Sequence, residues 1–233
     1  MKDIAFLFDI DGTLLDAIPF FNKLVIESVE EMGIQLEEEI KENLLNRAIE
    51  VTPDKASRHF IYDLFFTIGK MVGIEKKNKI YELQVNAGMK YLEGMKHVNL
   101  IEGASDTLHF LSSRGYRLGI VTTSSEKDLA AKLGELMDSI EVVYAREHTK
   151  KMKPNPDPIL GAAKDLNLSP SRCTMIGDTP DDILAGKNAE VGCTIGVLTG
   201  FSTTQIFKEY NPDFILKSIA EIPDKLPEIL KLF

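Results

Sequence analysis

The chain has 233 residues, of which 44% are hydrophobic and 27% are charged, and its formal net charge is -9. This length can bury a full hydrophobic core, and the composition is ordinary for a globular protein. The negative charge argues against a general binder of nucleic acid or anionic membranes, although a local pocket can still oppose the global sign.

The predicted elements change character along the chain. Residues 4–8 form a continuous apolar run typical of a buried strand, which Gly12 and Thr13 bring to an end. From Pro19 to about His97, apolar residues recur at spacings of three and four, which is typical of amphipathic helices. The later predicted strands cover residues 116–122, 140–145, 173–178, 193–199 and 213–216. The helical stretches among them cover residues 104–114, 126–137, 156–166 and 180–189.

Alternation of strands and helices predicts an α/β fold with a doubly wound, Rossmann-like parallel sheet. The strand over residues 4–8 belongs to the same sheet, so the long helical block is an insertion. We therefore predict a core made of residues 1–15 and 98–233. Residues 16–97 are predicted to form an inserted, all-helical cap domain, in which Met71 and Met89 are interpreted as packing residues.

Cysteine usage and the N-terminal residues predict a cytoplasmic protein. Cys173 and Cys193 lie in apolar stretches without a CxxC pattern, which favours buried thiols in a reducing compartment. Asp9 and Asp11 interrupt the first apolar run before it reaches the length of a signal peptide. Apolar runs elsewhere are also shorter than the roughly 18 residues of a membrane helix.

Polar residues stand where the predicted strands end or shortly after them: Asp9, Asp11, Thr122, Lys153 and Asp178. In doubly wound sheets, ligands bind beyond the carboxyl ends of the strands. Two carboxylates two residues apart, with a third from another strand end, make an oxygen-rich site that suits Mg²⁺. Gly12 permits backbone amides to approach an anion, Lys153 supplies a positive charge, and Thr122 supplies a hydroxyl donor. The pattern predicts a phosphate held between a cation and a lysine.

Other motif interpretations fail on spacing. An EF-hand loop needs glycine at its sixth position and glutamate at its twelfth, whereas counting from Asp9 gives Leu14 and Phe20. The sequence lacks a GxxxxGK[ST] loop and a GxGxxG turn, so these routes to ATP or dinucleotide binding are unsupported.

Four motifs carry a resemblance to a known family: DIDGTLLD, IVTTS, KPNPDP and IGDTPDD. Their order and spacing are similar to those of the haloacid dehalogenase superfamily. The chain looks like one of its phosphatases of the phosphoglycolate phosphatase type, with a helical cap inserted after the first motif. The resemblance covers essentially the whole chain, strongly over the core and weakly over the cap.

The resemblance implies a role for each motif residue. Asp9 would be the nucleophile that forms an aspartyl-phosphate, and Asp11 would be the general acid and base. Thr122 would donate a hydrogen bond to the phosphate, and Lys153 would neutralise its charge.

The resemblance also implies a cofactor and its ligands. Mg²⁺ would be bound by the Asp9 side chain, the Asp11 backbone carbonyl and the Asp178 side chain. Asp182 would support this site through a water molecule.

Substrate contacts are expected from both domains. In the core, Gly12 and Thr123 are expected to contact the substrate beside the motif residues. In the cap, Arg47, Arg58 and His59 are candidates to meet a remote carboxylate, hydroxyl or second phosphate.

The predicted function is therefore that of a magnesium-dependent phosphatase acting on a small phosphorylated metabolite. A phosphosugar mutase of the same superfamily, a nucleotidase and a pyrophosphatase stay open as alternatives. A dehalogenase is disfavoured because that branch lacks an aspartate at the position of Asp11, and a non-catalytic binding protein would be expected to lack a catalytic residue. We expect a monomer or homodimer.

Overall fold

The structure is a computed structural model that describes residues 2–52, 60–94, 98–126, 129 and 133–233. The chain divides into two compact units, residues 1–16 with 99–233 and residues 17–98. We call the first the sheet unit and the second the helical unit. Their assignment as catalytic core and cap stays a prediction.

The sheet unit contains six strands: β1 (Ala5–Phe8), β2 (Arg117–Val121), β3 (Val142–Tyr144), β4 (Cys173–Gly177), β5 (Cys193–Val197) and β6 (Phe214–Leu216). They form one sheet in the order β3-β2-β1-β4-β5-β6, in which all neighbours are parallel. Parallel neighbours need crossover connections, which explains the alternation of strands and helices. The predicted doubly wound α/β sheet is confirmed.

Helices surround this sheet and make up the second unit. The helical unit contains α1 (Ala17–Glu31), α2 (Glu38–Val51), α3 (Phe60–Met71) and α4 (Lys77–Gly94). The sheet unit contains α5 (Ala104–Ser113), α6 (Asp157–Asp165), α7 (Pro180–Asn188), α8 (Thr204–Tyr210) and α9 (Ile222–Ile229). Of the helices in the described residues, none combines the length and apolar character that a membrane crossing requires.

The helix predicted over residues 126–137 differs from the structure at its C-terminal end. Gly134–Ser139 forms a 3-10 helix. Gly134 has a φ of 53°, a left-handed conformation through which a regular α-helix cannot continue. Residues 127, 128 and 130–132 lie outside the described residues.

Strand β1 lies at the centre of the sheet, between β2 and β4. Leu7 pairs with Gly119 on one side and Met175 on the other. All four residues of β1 are buried, so the strand is a continuous apolar run without alternation. Its continuation is also fixed, because the Asp9 amide donates to the Ile176 carbonyl over 2.9 Å.

The chain leaves the sheet unit and re-enters it at neighbouring points. Leu15 forms a β-bridge with Leu100, and the Asp16 amide donates to the Asn99 carbonyl over 2.9 Å. Main-chain hydrogen bonds within the sheet unit therefore join the two ends of the inserted segment, residues 17–98.

Aromatic side chains pack together inside the helical unit. The ring of Phe21 on α1 lies 5.9 Å from that of Phe65 on α3 and 5.5 Å from that of Tyr91 on α4, edge to face in both cases. Such pairs add to the free energy that burial of their area provides. They join three helices of this unit in one core.

Replacing Leu7 with alanine should lower the free energy of unfolding by about 2–5 kcal/mol, because this fully buried side chain would leave a cavity beside the central strand. Urea unfolding followed by circular dichroism measures the loss. Leu232→Ala is the matched control, since Leu232 is 47% exposed and should change stability by about 0.5 kcal/mol or less. Similar losses for both variants would contradict the prediction.

Candidate active site

A buried lysine joins two carboxylates at the carboxyl edge of the sheet. Lys153 Nζ donates to Asp9 Oδ1 over 2.7 Å and to Asp182 Oδ1 over 2.6 Å. It also donates to the Val121 carbonyl over 2.8 Å. An ammonium group has three donors, so these contacts use its full capacity. The lysine is thereby fixed between the ends of β1 and β2 and the first turn of α7.

Three buried carboxylates converge at this place. One oxygen from each of Asp9, Asp178 and Asp182 lies within 4.8 Å of the others. Asp178 directly follows β4, and Asp182 lies in the first turn of α7. The second oxygen of Asp182 accepts from the Thr179 amide over 3.0 Å and from the Thr179 hydroxyl over 2.6 Å. This capping box fixes both the start of the helix and the orientation of Asp182.

The charge at this cluster is strongly unbalanced. Burial raises the pKa of Asp9 to about 7, although Lys153 opposes the rise. Burial also raises the pKa of Asp178 well above its ordinary value, and the charges of Asp9 and Asp182 add to that rise. For Lys153, burial lowers the pKa, but Asp182 and Asp9 together raise it further, so the lysine stays protonated.

The unbalanced charge suits a divalent cation. Within the described part of the chain, Lys153 is the one basic side chain that hydrogen-bonds to the carboxylate cluster. If all three carboxylates are ionised, one ammonium leaves two negative charges without compensation in a buried place, and the raised pKa values of Asp9 and Asp178 reflect this cost. Carboxylate oxygens are the ligands that Mg²⁺ prefers, so the residues present fit this ion.

Two glycines let the main chain pass close to Asp178. A Cβ atom would lie 2.6 Å from Asp178 Oδ2 at Gly12 and 1.9 Å from it at Gly200. Gly12 also has a φ of 83°, which favours glycine. The Phe201 amide donates to Asp178 Oδ2 over 2.9 Å. A side chain at either glycine would therefore displace this carboxylate.

The loop after β2 links Asp11 to Thr122. The Ser124 hydroxyl donates to Asp11 Oδ2 over 2.5 Å, and the Ser124 amide donates to Thr122 Oγ1 over 3.1 Å. Thr122 is buried, and its amide donates to the Tyr144 carbonyl over 2.9 Å. Sequence reasoning missed Ser124. The available signal was a further hydroxyl in the segment IVTTS, two residues after Thr122.

The remaining predicted site residues occupy different surroundings. Thr123 is exposed, and its carbonyl accepts from Arg146 Nε over 3.1 Å. Arg47 lies on α2 of the helical unit, where Nη2 is 3.5 Å from Glu39 Oε1. Arg58 and His59 lie outside the described residues.

The fold and the site define an α/β protein with a buried carboxylate and lysine cluster at the carboxyl edge of its sheet. A sequence profile described as haloacid dehalogenase-like hydrolase matches residues 6–196. The chain belongs to this family.

Individual relatives cover nearly all of the chain. It is 26% identical over 235 residues to a phosphoglycolate phosphatase of Nitrosococcus oceani, with 95% of this chain and 96% of the relative covered. It is 29% identical over 227 residues to pyrophosphatase PpaX of Bacillus velezensis, with 94% of each covered.

A solved structure is similar over the same extent. It is a HAD family hydrolase from Deinococcus radiodurans with bound phosphate and sodium, and its TM-score is 0.75 at 23% identity. The match covers 98% of this chain and 96% of that one. At 23% identity, this structural similarity supports a shared fold and carries no statement about function.

Proposed function

We propose that this protein is a phosphatase that hydrolyses a small phosphorylated metabolite through an aspartyl-phosphate on Asp9, with Mg²⁺ as cofactor. The observation that carries the proposal is the buried ion pair of 2.7 Å between Lys153 and Asp9, at the end of the central strand and beside Asp178. The names of the relatives, a phosphoglycolate phosphatase and a pyrophosphatase, support hydrolysis of a phosphate bond.

Asp9 is suited to be the nucleophile because its position is fixed. Phosphoryl transfer requires mainly in-line positioning and stabilisation of charge. The Asp9 amide is bound to Ile176 of the neighbouring strand, and Lys153 holds Oδ1. In the proposed reaction Oδ2 attacks phosphorus, the bond to the leaving oxygen breaks, and an aspartyl-phosphate forms.

Asp11 is the proposed general acid and base. It donates a proton to the leaving oxygen in the first step. In the second step it takes a proton from the water that attacks phosphorus, which releases inorganic phosphate and regenerates Asp9. The hydrogen bond from Ser124 fixes the orientation of the Asp11 carboxyl group.

Asp9, Asp178 and the backbone carbonyl of Asp11 are the proposed holders of Mg²⁺. When bound there, this ion would neutralise charge on the carboxylates and on the transferred phosphoryl group. For Asp182 the structure shows direct contact with Lys153, where the sequence led us to expect action through water. We propose that Asp182 positions the lysine.

Replacing Gly200 with alanine should weaken Mg²⁺ binding by about 10- to 100-fold, because a methyl group there would displace the Asp178 carboxylate. Isothermal titration calorimetry measures the affinity. Gly88→Ala is the control, since a Cβ atom at Gly88 meets nothing within 4 Å. Equal Mg²⁺ affinity in the Gly200 variant and the wild type would contradict the prediction that displacing Asp178 weakens Mg²⁺ binding.

Phosphate release from a panel of metabolites tests the proposed function. The panel contains phosphoglycolate, a nucleoside monophosphate, a sugar phosphate and pyrophosphate, each assayed with Mg²⁺ and with a chelator. We expect release that requires Mg²⁺. A folded, Mg²⁺-binding protein that releases no phosphate from any member would overturn the proposal, and conversion of the sugar phosphate to an isomer would identify a mutase.

Pyrophosphate hydrolysis is the second candidate function. The 29% identity to pyrophosphatase PpaX over nearly the whole chain favours it. The ranking of kcat/KM across the panel separates the two candidates, since a pyrophosphatase should prefer pyrophosphate over every monoester.

A further inference from the structure

The loop that follows β2 carries two groups of the candidate active site. Ser124 donates to Asp11 through its hydroxyl and to Thr122 through its amide, so it contacts both the proposed acid and the proposed phosphate donor. We call residues 122–126 the β2 loop. Apart from Thr122, its residues are exposed or half-buried. Hydrogen bonds rather than burial must therefore keep most of this loop in one conformation.

A short turn after β3 lies beside the β2 loop. Arg146–His148 forms a 3-10 turn in the sheet unit. The Arg146 amide donates to the Ser124 carbonyl over 3.1 Å, and Arg146 Nε donates to the Thr123 carbonyl over 3.1 Å. The two segments are therefore joined by hydrogen bonds beyond the ends of β2 and β3.

Glu147 binds the next two residues of the β2 loop with both carboxylate oxygens. Oε1 accepts from the Ser125 hydroxyl over 2.6 Å, and Oε2 accepts from the Glu126 amide over 3.1 Å. The hydrogen bond from Ser125, followed by that from the Glu126 amide, lowers the pKa of Glu147 to about 2. The group is therefore ionised at neutral pH, and hydrogen bonds to an ionised acceptor are stronger than those between neutral groups.

His148 adds a further contact from the same turn. Its Nδ1 accepts from the Ala145 amide over 3.1 Å, and its Nε2 lies 3.2 Å from Glu126 Oε2. In a neutral imidazole one nitrogen accepts and the other carries the proton, so Nε2 donates to Glu126. The three residues of the turn together contact each residue from position 123 to position 126 of the β2 loop.

The role that these contacts suggest for Glu147 rests on the proposed function of the site. A general acid must stand within hydrogen-bond reach of the leaving oxygen, so the orientation of Asp11 matters. Ser124 hydrogen-bonds to Asp11 and directly precedes the two residues that Glu147 binds. We propose that Glu147 is a positioning residue, which fixes the β2 loop and thereby orients the Asp11 carboxyl group through Ser124.

Glu147→Ala should lower kcat/KM for the best monoester of the panel by about 10- to 100-fold, because a misplaced Asp11 protonates the leaving oxygen poorly. The loss for p-nitrophenyl phosphate should be about 3-fold or less, since nitrophenolate leaves with little need of a proton. The ratio kcat/KM includes the step in which the leaving oxygen departs, so it reports this difference. Equal losses on both substrates would overturn the proposed role.

A double-mutant cycle tests whether Glu147 acts through Ser124. If it does, Glu147→Ala should cost little once the Ser124 hydroxyl is absent. The double variant should then match Ser124→Ala alone to within about 2-fold in kcat/KM for the best monoester. A double variant whose loss is the product of the two single losses would mean that the residues act independently, which would overturn the proposed role even if p-nitrophenyl phosphate is not a substrate.

Two controls separate positioning of the β2 loop from damage to the fold or to the whole site. Glu209→Ala removes another exposed glutamate, on α8, and should keep the wild-type kcat/KM. Glu147→Ala should keep the wild-type Mg²⁺ affinity in isothermal titration calorimetry, because Asp9 and Asp178 lie outside the β2 loop. Circular dichroism and the melting temperature check that both variants fold. A loss of Mg²⁺ affinity as large as the loss of kcat/KM would contradict a role confined to Asp11.

The wild-type protein distinguishes failure of this inference from failure of the proposed function. Absence of phosphate release by the wild type on every substrate would overturn the proposed function, and the role of Glu147 with it. An active wild type whose Glu147→Ala variant keeps the same kcat/KM on every substrate would overturn the role of Glu147 alone.

Discussion

Replacing Asp9 with asparagine should abolish phosphate release from the best substrate of the panel, with a loss of kcat of about 10³-fold or more. The amide is not a nucleophile for phosphorus, so the aspartyl-phosphate cannot form. Asparagine keeps a carbonyl oxygen that can accept the hydrogen bond from Lys153, so the fold should be retained. A coupled phosphate assay with excess enzyme measures the residual rate.

Two measurements separate loss of chemistry from loss of structure. Asp224→Asn changes an exposed aspartate on α9 and should keep the wild-type kcat. Acid quench followed by peptide mass spectrometry should detect a phosphorylated Asp9 in the wild type. A phosphate adduct on another residue, or substantial activity in Asp9→Asn, would disprove the assignment of the nucleophile.

Lys153→Met should lower the free energy of unfolding by about 3–5 kcal/mol at pH 8, because it leaves buried carboxylates without their cation. Methionine fills nearly the same volume, so the loss comes from charge and hydrogen bonds. It also leaves the Val121 carbonyl without its donor. Phosphate release should be lost as well, since the same ammonium group is proposed to neutralise the substrate.

The stability loss in Lys153→Met should depend on pH. In the intact site the pKa of Asp9 is already raised to about 7, mainly by burial, while Lys153 opposes the rise. Both folded proteins bind protons more tightly than the unfolded chain, but without the opposing lysine the pKa of Asp9 rises further, so the variant gains more stability than the wild type as the pH falls from 8 to 5. Lys153 itself stays charged throughout this range, because its pKa is raised above its ordinary value. The gap between variant and wild type should therefore narrow at pH 5.

Urea unfolding at pH 5 and pH 8 without Mg²⁺ measures this effect. Lys151→Met is the control, since Lys151 lies two residues away and is exposed. It should change stability by about 0.5 kcal/mol or less at both values. A loss in Lys153→Met that is the same at pH 5 and pH 8 would mean that charge at the carboxylates is not its cause.

The sheet was predictable from sequence because its strands are buried on both faces. Burial of this kind produces continuous apolar runs, such as residues 5–8 of β1, which stand out between helical stretches. The parallel arrangement then places strand ends at one edge, so proximity of Asp9 and Asp178 follows from topology. The roles of these residues in catalysis stay predictions.

Contacts between distant loops were not predictable in the same way. Ser124 binds Asp11 across 113 positions of sequence, and Asp182 binds Lys153 across 29 positions. Such contacts depend on loop conformation, which hydrophobic periodicity does not encode. The close approach of Gly200 to Asp178 is likewise invisible in sequence, because a glycine after a strand is equally typical of an ordinary turn.

The packing role predicted for Met89 in the cap core is wrong, because its side chain is 53% exposed. When a helix carries apolar residues on two sides, the residues on each side recur at spacings of three and four. The spacing alone therefore does not tell which side is buried. Periodicity therefore identified the helix and left its inward side undetermined. Exposure in the folded chain was needed to distinguish the buried Ile80 and Leu83 from the exposed Met89.

The main-chain hydrogen bond between Asp16 and Asn99 joins the two ends of the helical unit and affects how the sequences of related proteins can differ. Because the main chain is already joined there over 2.9 Å, the segment between these residues can be exchanged without altering the register of any strand. The entropy of closing a loop grows slowly with its length, so inserted segments of different sizes are tolerated at one pair of anchor points. Recombination between relatives at these two residues would transfer one whole helical unit and leave the carboxylate and lysine cluster of the sheet unit unchanged.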